Sequence, residues 1–396
     1  MRSVQTSPAP ARSRAVGPRV GPDPRQVPVA TTDLAAVRAN VRTVLARTDA
    51  AVMAVVKADG YGHGATAVAR TALAAGATWL GVTGVDEALA LRRAGLGKVP
   101  LLSWLNPVHA DFAAAIAADI DLAVPGQEQL RAVVAAASPG RPARVHLYLD
   151  TGMNRDGASP SQWPQLCRAA RDAEQEGRIT VVGLMGHLPC GDTPGSREDA
   201  VARDLFGRGV HVALQAGLRP EERHLAATAA ALTDPRSHHT LCRIGAGLVG
   251  IDPSDTIPLC QALTLTAPLV LVRTVAAGTP VGYGSTWRAP QATRLGLLAL
   301  GYADGLPRVG RGRAEVSVGG RRRPLVGLVS MDQVVVDLGL DGRPRPGDLV
   351  TVLAPAEKGG PTMHEWARWC GTIPHEIVTG FGHRVGRRII DGEVAA

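Results

Sequence analysis

The chain has 396 residues, of which 45% are hydrophobic and 20% charged, a balance typical of a soluble globular protein large enough for two domains. It contains no apolar run long enough to cross a membrane and no signal peptide, so we expect a cytoplasmic protein without a membrane partner. The five cysteines form no C-x-x-C pair and therefore give no signature of a disulfide or a metal site.

Residues 1–27 carry half of the formal net charge of +8, because they hold five arginines and a single acidic residue. The segment also holds five prolines and little apolar pattern, which predicts a disordered tail. A nucleic-acid-binding arm is the alternative. The tail has no aromatic side chain to stack on bases, so we expect no nucleic-acid partner.

Residues 28–262 alternate strand-like and helix-like segments. The strand candidates are 51–57, 79–83, 99–104, 120–124, 145–150, 179–187, 223–227 and 242–250. They are continuous apolar runs, which is typical of parallel strands buried on both faces. About eight β-α units predict an α/β domain, a (β/α)₈ barrel of the TIM type, with an open doubly wound sheet as the alternative.

Residues 263–396 have a different texture. Short strand candidates at 263–275, 293–299, 314–318, 323–329, 333–338 and 348–353 are separated by Gly- and Pro-rich turns, and one helix is predicted near 362–371. This pattern predicts a second, mostly β domain at the C-terminus.

The segment V-V-K-A-D-G-Y-G-H-G, which ends at Gly64, carries the clearest chemical signal. An apolar strand runs directly into Lys57, and a lysine at the end of a barrel strand usually opens into a pocket. Desolvation there lowers the pKa of the amine and allows it to form a Schiff base. The glycines let the backbone and Tyr61 approach an anion closely. The alternative is a tight turn between strand and helix.

This segment resembles the cofactor-lysine motif of alanine racemases, which are fold-type III pyridoxal phosphate enzymes. Further motifs match in the same chain order across both predicted domains. They are D-T-G-M-N-R at 150–155, G-L-M-G-H at 183–187, R-I-G-A-G at 243–247, G-Y-G-S-T at 282–286, G-Y-A-D-G at 301–305 and V-S-M-D-Q at 329–333. The resemblance covers roughly residues 30–390.

The resemblance implies that Lys57 binds pyridoxal 5'-phosphate and acts as the base on one face of the substrate. Tyr283, supplied by the partner subunit of a head-to-tail homodimer, would be the base on the other face. Two opposed bases suit racemisation, which removes a proton from one face and returns it on the other. The pKa of a free tyrosine is near 10, so Tyr283 needs a neighbour, for which we expect His187. The alternative for Tyr283 is a turn residue between strands.

The family also places Arg243 on the ring nitrogen of the cofactor. A guanidinium only donates hydrogen bonds, so this nitrogen must accept and stays unprotonated, which suppresses side reactions such as transamination. The alternative is a surface arginine. The other implied cofactor contacts are Tyr61, His187, Thr228, Gly245, Ala246 and His375. The implied substrate contacts are Arg155, Tyr302, Met331 and Asp332, and no metal is expected.

Four positions depart from the family pattern. Tyr148 replaces a lysine that is carbamylated in the family and braces the substrate-binding arginine, which here is Arg155. His375 replaces a tyrosine that contacts the phosphate, Ala227 replaces an asparagine, and Ile244 replaces a proline. The changes surround the substrate carboxylate, the phosphate and the entrance, so they affect the choice of substrate more than the use of the cofactor.

We therefore expect a racemase of alanine or a similar small amino acid. Three alternatives stay open on the sequence. They are another fold-type III enzyme such as a decarboxylase, an aldolase or a biosynthetic variant, a non-catalytic pyridoxal phosphate carrier, and a resistance protein that sequesters a cyclic amino-acid analogue such as cycloserine.

Overall fold

The computed structural model describes residues 22–392, so most of the tail predicted at residues 1–27 lies outside the described residues. Eight parallel strands form the first sheet. Their bounds are Ala51–Val55, Trp79–Val82, Leu101–Ser103, Asp121–Val124, Ala143–Tyr148, Ile179–Met185, Glu222–His224 and Leu241–Ile244. Each strand begins within about two residues of its predicted first residue, and most strands end earlier than predicted.

The strands pair in chain order, and the last one, Leu241–Ile244, returns to pair with the first, Ala51–Val55. Two backbone hydrogen bonds join the remaining edges: Thr240 N–H donates to Arg223 O at 3.1 Å, and Arg243 N–H donates to Ala226 O at 3.0 Å. The sheet therefore closes on itself. This confirms the predicted TIM-like barrel and excludes the doubly wound sheet, in which the strand order reverses at a switch point.

Helices surround the barrel. Their bounds are Leu34–Leu45, Ala65–Ala74, Val85–Arg93, Phe112–Ala117, Gln127–Ala136, Trp163–Gln175, Arg197–Gln215 and Thr228–Thr233. Side chains alternate along each strand, so Val145 and Leu147 pack outward against the helices while Tyr148 faces the interior. No helix among residues 22–392 is long and apolar enough to span a membrane.

The C-terminal domain is mostly β, as predicted. Its strands are Leu263–Val275, Pro280–Val281, Trp287–Arg288, Thr293–Leu298, Glu315–Val318, Arg321–Val326, Val334–Asp337, Leu349–Leu353 and Gly386–Ile390. Its helices are Met363–Cys370, close to the predicted position, and Pro374–Thr379, which the sequence pattern did not reveal. The first of these is capped by Thr362, whose hydroxyl accepts from Glu365 N–H.

The strand Val29–Asp33 joins the sheet of the C-terminal domain. It pairs antiparallel with Leu263–Val275 and parallel with Gly386–Ile390. The sequence-based division placed residues 28–262 in the barrel, whereas residues 29–33 pair with strands of the C-terminal domain. The physical reason is that a short strand carries no information about which sheet will supply its hydrogen-bond partners.

Candidate active site

One cavity of about 480 Å³ opens at the carboxyl ends of the barrel strands. This is the end at which barrel enzymes place their catalytic groups. Nine of the predicted site residues line it. They are Lys57, Tyr61, Arg155, His187, Thr228, Arg243, Gly245, Ala246 and His375. The strand ends and loops that follow them bring together residues separated by more than 300 positions in the chain.

Lys57 stands at the start of a left-handed turn. The next four residues, Ala58 to Tyr61, have φ values between 51° and 62°. Three of them are not glycine, and this conformation costs an L-residue roughly 1–2 kcal/mol. The Glu87 carboxylate accepts from Ala58 N–H at 2.7 Å, and Asp59 accepts from Ala65 N–H at 2.8 Å. These bonds hold the strained turn, which carries Lys57 and Tyr61 on the cavity wall.

The amine of Lys57 lies in a partly apolar and cationic setting. Its Nζ is 6.0 Å from the ring centres of both Tyr61 and Trp104. Burial lowers the pKa of Lys57, the charges of Arg155 and Arg243 lower it further, and Glu87 opposes them. A lowered pKa leaves more of the amine unprotonated, which is the form that attacks an aldehyde.

A cradle with several hydrogen-bond donors lies beside this amine. A Cβ on Gly245 would lie 2.2 Å from the Tyr61 hydroxyl, so only glycine admits that approach. The Thr228 hydroxyl oxygen accepts from Gly245 N–H and Gly247 N–H, both at 3.2 Å, which leaves its own proton free to donate. The Nδ1 atom of His375 is buried and has no partner among the described residues. This set fits a phosphate group.

Arg243 is 5% exposed and lies in the barrel, which excludes a surface arginine. Its Nη2 donates to His187 Nδ1 at 3.0 Å and to Gly186 O at 2.8 Å, and its Nη1 donates to His224 Nδ1 at 3.0 Å. Its Nε makes no hydrogen bond within residues 22–392 and can meet a ring nitrogen in the cavity. Since a guanidinium only donates, His187 must carry its proton on Nε2.

His187 stays neutral at physiological pH. Burial, then the charges of Arg243, Arg155 and Lys57, lower its pKa to about 3. A neutral imidazole with the proton on Nε2 can donate a hydrogen bond into the cavity but cannot add a positive charge there.

Three of the four departures from the family pattern also lie at the cavity. Tyr148 is 5% exposed, and burial raises its pKa. Arg155 makes no hydrogen bond or ion pair with any residue between 22 and 392, so no carboxylate among those residues takes over the role of the family's carbamate. Ala227 lines the wall, whereas Ile244 points outward into the core.

Four predicted residues do not line this cavity. Tyr283 is 72% exposed, Met331 53% and Tyr302 43%, all on the C-terminal domain. Tyr283 sits in a turn between the paired strands Pro280–Val281 and Trp287–Arg288. Asp332, which is also exposed, forms an ion pair with Arg384 at 2.7 Å. A single chain therefore assembles only part of the predicted set.

Several side chains inside the barrel were not among the predicted site residues. Trp104 lines the cavity, and His224 contacts Arg243 directly. His146 lies two residues before Tyr148, so the alternation of a barrel strand places both inside. A polar residue at an inward position of an apolar strand was the available signal.

Comparisons with known proteins agree with this geometry. Residues 32–253 match the family profile described as alanine racemase, N-terminal domain, and residues 262–389 match that of the C-terminal domain. The chain belongs to the alanine racemase family. An alanine racemase of Frankia casuarinae is 46% identical over 369 residues, which cover 91% of this chain and 96% of the relative.

Solved structures of the family have the same fold. Alanine racemase from D-cycloserine-producing Streptomyces lavendulae has a TM-score of 0.90 and 42% identity, covering 92% of this chain and 97% of that one. Alanine racemase from Bartonella henselae, solved with covalently bound pyridoxal phosphate, has a TM-score of 0.83 and 25% identity, with coverage of 92% and 99%. The predicted family, fold and enzyme class are thus confirmed. Membership of the alanine racemase family makes this protein an isomerase of the racemase type.

Proposed function

We propose that this protein interconverts the enantiomers of alanine or a similar small amino acid, with pyridoxal phosphate bound at Lys57. One observation carries the proposal. Lys57, with its lowered pKa, shares a cavity with Arg243 and neutral His187, and a donor-rich cradle lies beside it. The Bartonella relative has the same cofactor bound covalently, and the Frankia and Streptomyces relatives are alanine racemases.

Different residues would bind the phosphate and the ring of the cofactor. Tyr61, Thr228, Gly245, Ala246 and His375 would hold the phosphate through hydroxyl, amide and imidazole groups. Arg243 would donate from Nε to the ring nitrogen, which would then stay unprotonated. When bound, the cofactor withdraws electrons from the substrate Cα and so acidifies the α-proton.

Proton transfer is divided between two side chains on opposite faces of the substrate. Lys57 Nζ removes or returns a proton on one face. On the other face, Tyr283 of the partner subunit does the same, and the Nε2–H of His187 hydrogen-bonds its hydroxyl oxygen and so stabilises the deprotonated form. Arg155, with Met331 and Asp332 of the partner subunit, binds the substrate carboxylate region, and Tyr302 of the partner subunit lines the entrance.

The exposed position of Tyr283 supports a shared active site. Its side chain does not line the cavity of its own chain and is 72% exposed, although it is an aromatic residue. In a head-to-tail homodimer the partner would cover such a side chain, and the tyrosine would supply the missing base.

The test combines spectroscopy and isotope exchange. Purified protein incubated with pyridoxal phosphate is expected to gain a visible absorbance band that Lys57→Ala abolishes. In D₂O, alanine is expected to take up deuterium at Cα and to lose enantiomeric purity, and Tyr283→Phe is expected to block transfer on one face. Deuterium uptake without enantiomer interconversion in the unmodified protein would contradict racemisation, and carbon dioxide or aldehyde release would indicate a decarboxylase or aldolase.

A further inference from the structure

A chain of buried hydrogen bonds crosses the interior of the barrel from Arg243 to the opposite mouth. Arg243 Nη1 lies 3.0 Å from His224 Nδ1, and His224 Nε2 lies 2.8 Å from His146 Nδ1. His146 Nε2 lies 3.4 Å from Asp121 Oδ2, and Arg144 donates to both oxygens of Asp121, to Oδ1 at 2.7 Å and to Oδ2 at 3.2 Å. Both histidines are 0% exposed and Asp121 is 1% exposed.

The direction of every bond in this chain follows from Arg243. A guanidinium has no acceptor, so His224 Nδ1 must accept, and its proton lies on Nε2. His224 Nε2–H then donates to His146 Nδ1. That atom must be unprotonated, so His146 carries its proton on Nε2 and donates to Asp121. Burial, and then the charge of Arg243, hold the pKa of His224 well below its usual range, which agrees with a neutral ring.

The barrel interior leaves room for the side chains of this hydrogen-bond chain. A Cβ on Gly183 would lie 2.1 Å from His146 Nδ1, so the neighbouring strand must carry glycine at that point. The Trp79 ring meets His146 edge-on, with 5.5 Å between ring centres. The imidazole of His146 therefore has a defined position between these neighbours.

The chain of hydrogen bonds links a buried cation to a carboxylate. Within residues 22–392, the direct partners of buried Arg243 are imidazole rings and the backbone carbonyls of Gly186, His224 and Leu225, and none of them is an anion. A buried cation without an anion is costly. Burial by itself would raise the pKa of Asp121, but hydrogen bonds from His146 and Arg144 bring it below its ordinary value. The chain thus ends on a carboxylate.

We propose that Asp121 is a positioning residue for Arg243, acting through His146 and His224. Its carboxylate accepts the proton that His146 carries on Nε2 and so holds the far end of the chain, and His224 at the near end aims the guanidinium toward the cavity. The inference rests on the proposed function only for the role of Arg243 toward the cofactor ring, since the hydrogen-bond chain itself belongs to the protein.

The first test needs neither cofactor nor turnover. In cofactor-free protein with ¹⁵N-labelled histidine, two-bond proton–nitrogen correlation spectra report which ring nitrogen carries the proton, and His146→Gln and His224→Gln assign the signals. We expect Nε2–H for both histidines. A proton on Nδ1 of either ring would overturn the proposal, whatever the protein does with amino acids.

The second test separates the chain from the ion pair at its end. Asp121→Asn removes the terminal charge, whereas Arg144→Met breaks the same ion pair and leaves the carboxylate. For Asp121→Asn we expect kcat to fall on the order of tenfold with KM nearly unchanged, and a shift in the pH at which the absorbance of the bound cofactor changes. Arg144→Met should affect both much less, because His146 still donates to the carboxylate that remains.

Equal effects of the two substitutions in the histidine spectra and in kcat would show that the ion pair merely stabilises the fold, and would overturn the proposal. An unmodified protein with the expected tautomers but no racemase activity would contradict the proposed function alone. If Asp121→Asn does not fold, the histidine spectra of the unmodified protein still test the proposal, because a proton on Nδ1 of either ring would break the chain.

Discussion

Arg243 and His187 show how one side chain can set the chemistry of its neighbour. The guanidinium at 3.0 Å from His187 Nδ1 fixes the tautomer of that ring, and burial together with Arg243 lowers its pKa to about 3. Tyr148 and Arg155 show the opposite case. Where the family has an anion, this chain has a neutral hydroxyl, so Arg155 is free to respond to the substrate itself. We therefore expect the affinity for the substrate carboxylate to differ from that of relatives that have the carbamylated lysine.

Glycine at position 245 should strengthen cofactor binding. A methyl group there would lie 2.2 Å from the Tyr61 hydroxyl, and its φ of −116° is open to any residue, so the effect of Gly245→Ala is purely steric. We expect the Kd for pyridoxal phosphate to rise on the order of tenfold, from the cost of overpacking. Absorbance titration of cofactor-free protein measures it.

Gly84→Ala is the matched control for that substitution. Gly84 has a φ of −111° and no atom within 4 Å of its Cβ position, so its replacement should leave the Kd unchanged. If both variants bound the cofactor as tightly as the unmodified protein, the assignment of the phosphate cradle to Tyr61 and Gly245 would be wrong.

At the scale of the element, the left-handed turn after Lys57 is the feature that joins the two domains at the cavity. Helix Pro374–Thr379 of the C-terminal domain packs against it and brings His375 to 6.2 Å from Tyr61, measured between ring centres. The strain of the turn's three non-glycine residues with positive φ is tolerated because the Glu87 carboxylate accepts from the turn and the Asp59 side chain ties the turn to the helix that follows.

Gly62→Ala tests this contact. Gly62 has a φ of +77°, and a Cβ there would lie 2.6 Å from the Val378 carbonyl oxygen. Backbone strain should cost about 1–2 kcal/mol, and displacement of the helix should cost about 1–3 kcal/mol more. Urea unfolding measures the sum, and the Kd for pyridoxal phosphate should rise because His375 moves with the helix.

Gly177→Ala isolates the backbone contribution. Gly177 has a φ of +69° and open space around its Cβ position, at the end of helix Trp163–Gln175. Gly177→Ala should lower the free energy of unfolding only by the cost of backbone strain, and it should leave the Kd for pyridoxal phosphate unchanged. Equal losses of unfolding free energy at both glycines would mean that the contact with Val378 contributes nothing.

At the scale of the whole molecule, the predicted catalytic groups are divided between the two domains. The barrel holds Lys57, His187 and Arg243, while the β domain presents Tyr283 to the outside. The strand Val29–Asp33 ties the two ends of the chain together, because it lies between Leu263–Val275 and Gly386–Ile390. Such an arrangement suits a site completed by a second copy.

Subunit complementation tests the shared site. Lys57→Ala and Tyr283→Phe are each expected to inactivate the homodimer, but a mixed dimer keeps one site with both bases. Refolding equal amounts together should restore about a quarter of the original activity, since half of the dimers are mixed and half of their sites are complete. No recovery, with mixed dimers demonstrated by differential tagging, would place both bases in one chain.

Buried histidines should make the protein sensitive to mild acid. His63 Nδ1 lies 2.7 Å from the Tyr61 carbonyl and therefore carries the proton, while its buried Nε2 has no partner among the described residues. Burial lowers the pKa of His63 to about 4, as it lowers that of His187 to about 3. The unfolded chain then binds more protons below pH 6.5, so stability is lost as the pH falls through that value toward the folded pKa.

Each of these groups should remove about 1.4 kcal/mol per pH unit well below pH 6.5. Urea unfolding of cofactor-free protein between pH 7.5 and about pH 5 measures the slope. His63→Gln should flatten it, whereas His109→Gln, at an exposed position, should leave it unchanged. An unaltered slope in His63→Gln would mean that this ring is protonated in the folded protein.

The sequence by itself determined the barrel strands, the β texture of the C-terminal domain and the place of Lys57 at the end of a strand that opens into a cavity, because hydrophobic period and local motifs are properties of neighbouring residues. It could not assign Val29–Asp33 to its sheet, because the partners of that strand lie more than 230 residues away. Nor could it find the chain from Arg243 through His224 and His146. Only closure of the barrel turns those inward positions toward one another, and hydrogen bonding between them then fixes every proton.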